Sequence, residues 1–90
     1  MPTLGRNNTG INVGESWKQY APGAVADLVA DSPDGKSCAR MLILLAAGDL
    51  TACYQPDGVT NRPLTGLPDQ YMHLGATSGA TCTVGMIAYW

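Results

Sequence analysis

From Val25 to Trp90 the chain is a succession of short apolar runs separated by turn residues. Val25–Asp31 is the first run. Ser32-Pro33-Asp34-Gly35 follows, with Pro, Asp and Gly where a type I turn favours them. Gln55-Pro56-Asp57-Gly58 repeats that chemistry, Leu67-Pro68-Asp69-Gln70 is a weaker relative, and Gly48-Asp49 and Ser78-Gly79 add two further breaks. Turn signals roughly every 8–12 residues between short apolar runs predict an all-β fold, a small sandwich or barrel of about 6–8 short antiparallel strands.

Cys38–Ala47 is ambiguous on local grounds. Met41-Leu-Ile-Leu-Leu-Ala-Ala47 is rich in helix formers, Ser37 could cap a helix and Gly48 could end it. A strand buried on both faces looks the same when turns bound it at each end. The surrounding β pattern favours strand. Alternation then places Ala39, Met41, Ile43 and Leu45 on one face and Arg40, Leu42, Leu44 and Ala46 on the other. The last run, treated as one strand, sets Cys82, Val84, Met86, Ala88 and Trp90 against Thr83, Gly85, Ile87 and Tyr89. Both strands are apolar on two sides, whereas a domain this small has one inside. The second side is expected to meet an arm, a neighbouring subunit or a docking surface.

Residues 1–24 read differently. Gly5-Arg-Asn-Asn-Thr-Gly10 is polar and turn-like, and Ile11, Val13, Trp17 and Tyr20 follow without a period. This predicts an extended N-terminal arm over residues 1–24, closed by Pro22-Gly23, ahead of a β-sandwich domain over 25–90; a partner surface is the expected place for its Trp17 and Tyr20, with folding back on the domain as the alternative.

Composition sharpens the expectation of an interface. Apolar residues make up 46% of the chain, which excludes a disordered bulk, while charged residues reach only 13% where about a quarter is usual. A 90-residue domain buries only about 60–65% of its unfolded surface, so much of what remains outside is uncharged. The basic residues Arg6, Lys18, Lys36, Arg40 and Arg62 are scattered and the net charge is −2, which argues against direct nucleic-acid binding. No run approaches the roughly 18 apolar residues of a membrane-spanning helix, and no membrane partner is expected. The first residues, Met-Pro-Thr-Leu-Gly-Arg, contain no apolar signal core, and a chain made and used without secretion is the expectation.

Candidate chemistry is sparse. Cys38, Cys53 and Cys82 are 15 and 29 residues apart, unlike the close pairs of zinc sites, and read as buried thiols. A nucleophile pair between His73 and one of these cysteines, oriented by Asp49 or Asp69, is conceivable, but no spacing supports it; a hydrogen-bonded, half-buried imidazole is the expectation. Asp27, Asp31 and Asp34 lie close in sequence but lack the alternating acids and distal Glu of a calcium loop. Gly75-Ala-Thr-Ser-Gly79 lacks the Gly-Lys-Ser/Thr ending of a phosphate loop. No cofactor and no enzymatic activity are expected. Trp17, Tyr20, Tyr89 and Trp90 are expected as interface anchors rather than as a sugar platform, because Trp and Tyr dominate binding hot spots. The chain ends on Tyr89-Trp90 without a polar tail, an end expected to be held by a neighbour. Leu42 and Leu44 are assigned to the second apolar face. Arg40, like Arg62, is assigned to ion pairs at the rim of an interface.

In order along the chain, Ala26-Asp-Leu28, Cys38-Ala-Arg-Met-Leu-Ile-Leu44, Ala47-Gly-Asp-Leu50, Asp57-Gly-Val59, Leu64-Thr-Gly-Leu-Pro68, Ala76-Thr-Ser-Gly-Ala-Thr81 and Ile87-Ala-Tyr89 resemble small tailed-phage virion proteins of the head-spike-base and capsid-decoration type, also found in gene transfer agents. The resemblance spans about residues 25–90 and leaves out the arm. It departs from the family pattern at Cys38, at Leu44-Leu-Ala-Ala47 and at Trp90, so the attachment point on the virion stays unassigned. It implies a compact β-sandwich that assembles with itself, as a trimer or pentamer, and with the major capsid protein or other virion proteins. The expected place is the capsid exterior, after assembly in the host cytoplasm. The alternative is a receptor- or glycan-binding module of a phage spike or tail.

Overall fold

A computed structural model describes residues 16–90. Eight strands run in the order β1 (Trp17–Tyr20), β2 (Val25–Asp27), β3 (Ala39–Leu44), β4 (Gly48–Tyr54), β5 (Leu64–Leu67), β6 (Met72–Thr77), β7 (Gly79–Cys82) and β8 (Met86–Tyr89), with no helix among the described residues. They form two four-stranded sheets, β1-β8-β3-β6 and β2-β7-β4-β5, and every pairing is antiparallel. The all-β sandwich expected from the turn spacing is therefore what the chain forms. Only β4 and β5, consecutive in the chain, are paired neighbours; every other connection passes from one sheet to the other.

The predicted turns close where Pro, Asp and Gly place them. Gly35 N–H donates to the Ser32 carbonyl at 3.1 Å, and Gly58 N–H to the Gln55 carbonyl at 2.9 Å. Both glycines have positive φ, 71° and 77°, which side-chain-bearing residues rarely adopt. The weaker Leu67–Gln70 signal closes one residue later, from Tyr71 N–H to the Pro68 carbonyl, with Gln70 at φ 61°.

Between the sheets lie Leu28, Leu42, Leu44, Leu50, Met86 and Ala88, all essentially inaccessible to water. Each buried Leu or Met contributes about 1.5–3 kcal/mol relative to an exposed position. β3 is a strand, so tertiary pairing overrides its helix-forming composition. It stops at Leu44, because Leu45 N–H turns away to the Gly85 carbonyl. Its faces follow the expected alternation from Met41 to Leu44 and break before it. Ala39 and Leu42, three residues apart, are both fully buried where the pairing with β6 shifts register.

Three expectations change. The first run is a strand only over Val25–Asp27, after which Asp27 and its neighbours turn, with Asp31 N–H donating to the Asp27 carbonyl. The last run is not one strand. β7 belongs to one sheet and β8 to the other, and Thr83–Gly85 makes the corner, held by Thr83 N–H on the Asp49 carbonyl. The arm boundary at residue 24 also moves. Trp17–Tyr20 pairs along its whole length with Met86–Tyr89 as an edge strand, so these residues belong to the sandwich. The remainder of the expected arm, residues 1–15, lies outside the described residues.

Candidate interface face and the Cys53–His73 cluster

The register of the first sheet decides which side chains point away from the core. Trp17 pairs with Tyr89, Tyr89 with Met41, and Met41 with Leu74, giving one row across all four strands. Gln19, Ile87, Ile43 and Met72 form the next outward row by the same pairings. Every position except Gln19 is apolar, and none is charged. Trp17 is 63% exposed, Met72 53% and Leu74 69%, whereas the middle of each row is half-buried by its neighbours. These exposed side chains lie together in one apolar patch, the kind of surface that marks an interaction site when it is broad and contiguous. The outer face of the second sheet differs: Val25, Thr81 and Ala52 form one row and Asp27, Gly79 and Tyr54 the next, mostly small or polar. One sheet is thus covered by large apolar groups and the other is not.

The anchors expected from sequence divide between this face and the core. Trp17 and Tyr89 stand side by side on the outer face. Tyr20, Leu42, Leu44 and Trp90 do not, contrary to the expectation that they anchor an interface: each is buried in its own chain. Leu42 and Leu44 point between the sheets because their partners Ala88 and Met86 do. Alternation had separated the two faces of β3 but could not say which faced the core; Met41 and Ile43 are the outward pair. Tyr20 Oη donates to Asp31 Oδ2 at 2.6 Å, and Lys18 Nζ lies 3.2 Å from the same oxygen and 5.3 Å from the Tyr20 ring centre. Burial, then the bond to Asp31, pushes the Tyr20 phenol well above its ordinary range, and that bond holds the Asp31 carboxyl low. Trp90 Nε1 donates to the Leu28 carbonyl, and its backbone N–H to Ser16. This chain itself holds that end. Arg40 is exposed beside a shallow cleft of about 290 Å³ lined by Asp34, Cys38 and Trp90; the one ion pair among the described residues is Lys18–Asp31.

A second cluster brings together residues that sequence left apart. Cys53 on β4 and His73 on β6 face each other across the sandwich, with Sγ 3.7 Å from Nε2. Tyr71 Oη is 3.4 Å from Nδ1, in the place where Asp49 or Asp69 had been considered. Asp49 instead accepts the Gly66 N–H at 2.8 Å. Burial raises the Cys53 thiol and lowers the His73 imidazole, so both are held neutral. A Cys–His nucleophile needs the reverse, a thiolate stabilised by an imidazolium. An open cavity of about 450 Å³ beside the pair is walled by Leu64, Leu74 and Thr77, with Arg62 at its lining. The contact between Cys53 and His73 links a strand of one sheet to a strand of the other.

The three neighbouring aspartates are each engaged in turns or pairs. Asp27 accepts the Ala30 N–H; Asp34 accepts the N–H groups of Lys36 and Ser37 and the hydroxyls of Ser32 and Ser37. These bonds draw the Asp34 carboxyl down to about 2. Among the described residues no three of His, Cys, Asp and Glu converge as metal ligands would.

No family model, curated protein or solved structure matches this chain.

Proposed function

We propose that this chain is a non-enzymatic structural subunit of a phage virion. It associates with itself and decorates or cements the outside of a capsid, or forms the base of a spike on it, through the outer face of the β1-β8-β3-β6 sheet. The observation that carries the reading is the pair of cross-strand rows led by Trp17 and Gln19, uncharged and broad enough to exclude water over four strands. The resemblance of the motif order to small virion proteins suggests the kind of assembly. Burial of such a face is non-directional and additive, which suits a shell protein held by many weak copies of one contact.

A glycan-binding role draws on Trp17 beside Tyr89, an aromatic pair able to stack on a sugar. The same row continues into Met41 and Leu74, which offer no partner for sugar hydroxyls. The structural reading is therefore preferred.

Co-sedimentation with shells assembled without this chain tests it. Wild-type protein is expected to pellet with the shells, and Trp17→Asp/Leu74→Asp to stay in the supernatant while remaining folded. Wild-type protein that ignores the shells overturns the reading.

A further inference from the structure

We infer that the cavity between β5 and β6 is a binding site for a small organic monocarboxylate, with its apolar body against Pro56, Leu64 and Leu74 and its carboxylate on Arg62 and His73. The inference goes beyond the proposed structural role and does not rest on it.

β5 and β6 are the last strands of their two sheets, and Leu64 of one and His73–Thr77 of the other wall the same cavity of about 450 Å³. That volume falls within the roughly 300–1,000 Å³ of small-ligand sites. The sheets part here for a local reason. β5 begins only at Leu64, and Pro63 before it has no N–H with which to extend the ladder. The preceding residues are still tied to β4, by the Tyr54–Asn61 bridge and by Arg62 N–H on the Cys53 carbonyl at 2.8 Å, which fixes the backbone of Arg62 at the cavity wall. Gly75, at φ 150°, adds no side chain to fill the space.

The charges select an anion. The lining contains Arg62 and no Asp or Glu, in a chain whose net charge is −2. Asp57, the acid that feels the charge of Arg62, is engaged in its own turn, where it accepts the N–H groups of Val59 and Thr60 and the Thr60 hydroxyl. Among the described residues Arg62 forms no ion pair, so its planar fork of donors is open to a carboxylate. A metal ion drawn to Cys53 and His73 would instead lie near that positive charge with no carboxylate to offset it. His73 is under-partnered as well. Among the described residues its contacts are Cys53 Sγ at 3.7 Å and Tyr71 Oη at 3.4 Å, both long for a hydrogen bond. A carboxylate oxygen completes a half-buried imidazole left with such weak partners. Pro56, Leu64, Leu74 and Ala76 supply the apolar wall against which a compact ring or branched chain packs. Of these, Leu74 also belongs to the outer face of its sheet.

His73 is the only histidine in the chain, so its ring signals in a proton NMR spectrum report occupancy of the site without ambiguity. Benzoate is the probe, with benzamide as the same ring without the charge and acetate as the charge without the ring, all at constant pH. Benzoate is expected to shift the His73 signals and to saturate, with benzamide and acetate each weaker by about tenfold or more. Arg62→Gln is expected to weaken benzoate by about tenfold or more, and Lys36→Gln, which removes a charge from the β2–β3 loop, to bind as wild type does. The dispersion of the backbone amide signals establishes that both variants are folded. His73 signals that stay still or drift without saturating, equal binding of benzamide or acetate, or equal effects of the two variants overturn the inference. Pelleting with shells is a separate readout, so either reading can fail while the other stands.

Discussion

The indole Nε1 of Trp90 donates to the Leu28 carbonyl at 2.9 Å, and this bond locks the final residue onto the loop after β2, 62 residues earlier. Trp90 is 8% exposed, so the bond is made out of water, where leaving the carbonyl unpaired costs about 1–3 kcal/mol.

Trp90→Phe is therefore expected to destabilise the domain by about 1–3 kcal/mol, and Trp90→Ala by about 3–5 kcal/mol once the cavity is added. Chemical denaturation with an unchanged slope measures both. A Phe variant as stable as wild type would show that Leu28 finds another donor.

The two faces of β3 and β6 should respond oppositely to truncation. Leu42→Ala removes a fully buried side chain and is expected to cost about 2–5 kcal/mol. Leu74→Ala, at 69% exposure, is expected to change the stability of the isolated subunit by about 0.5 kcal/mol or less. Equal losses at the two positions, measured in dilute protein, would contradict the inward and outward assignment.

Asp34 organises the turn before β3, and its dependence on pH has a definite sign. Its carboxyl titrates at about 2 in the fold against 3.8 as an ordinary aspartate, so its contribution is present above 3.8 and fades as pH falls toward 2. Asp34→Ala is expected to melt below wild type at pH 7, and the two are expected to converge near pH 2. A difference in melting temperature that persists unchanged through this window would assign the role of Asp34 to something other than its charge.

His73 sets a second window. Burial holds its imidazole below the ordinary 6.5, so the unfolded chain takes up a proton before the folded one. Stability is then complete above 6.5 and falls as the solution is acidified below it. His73→Gln is expected to flatten the stability profile from about pH 6.5 downward, read by thermal melts in a series of buffers.

The thiols report the same packing. Cys38 is half-buried, whereas Cys53 and Cys82 are buried. A water-soluble disulfide reagent is expected to label Cys38 in the native protein and to reach Cys53 and Cys82 only on unfolding, with burial of Cys53 also keeping it in the unreactive thiol form. Rapid native labelling of Cys53 would reopen the question of a reactive site beside His73.

Much of the fold was legible locally. Pro-Asp-Gly at residues 33–35 and 56–58 closes its turns through backbone preferences that need no partner, and those turns delimit the strands. Alternation correctly separated Met41 and Ile43 from Leu42 and Leu44, because a strand has a period of two wherever it lies. The Trp17–Tyr20 segment was hidden. Trp17, Lys18 and Gln19 are exposed, only Tyr20 is buried, and a four-residue edge strand has too few inward positions to register as a pattern.

The all-β class, the turns and the two faces of the central strand follow from torsional preference and side-chain alternation, which act locally along the chain. Which face lies outside, the meeting of Cys53 with His73 and the closure of Trp90 onto Leu28 are properties of the assembled sandwich. Those outcomes depend on which strands become neighbours, a choice made by the joint burial of Leu28, Leu42, Leu44, Leu50 and Met86 and not by any one segment.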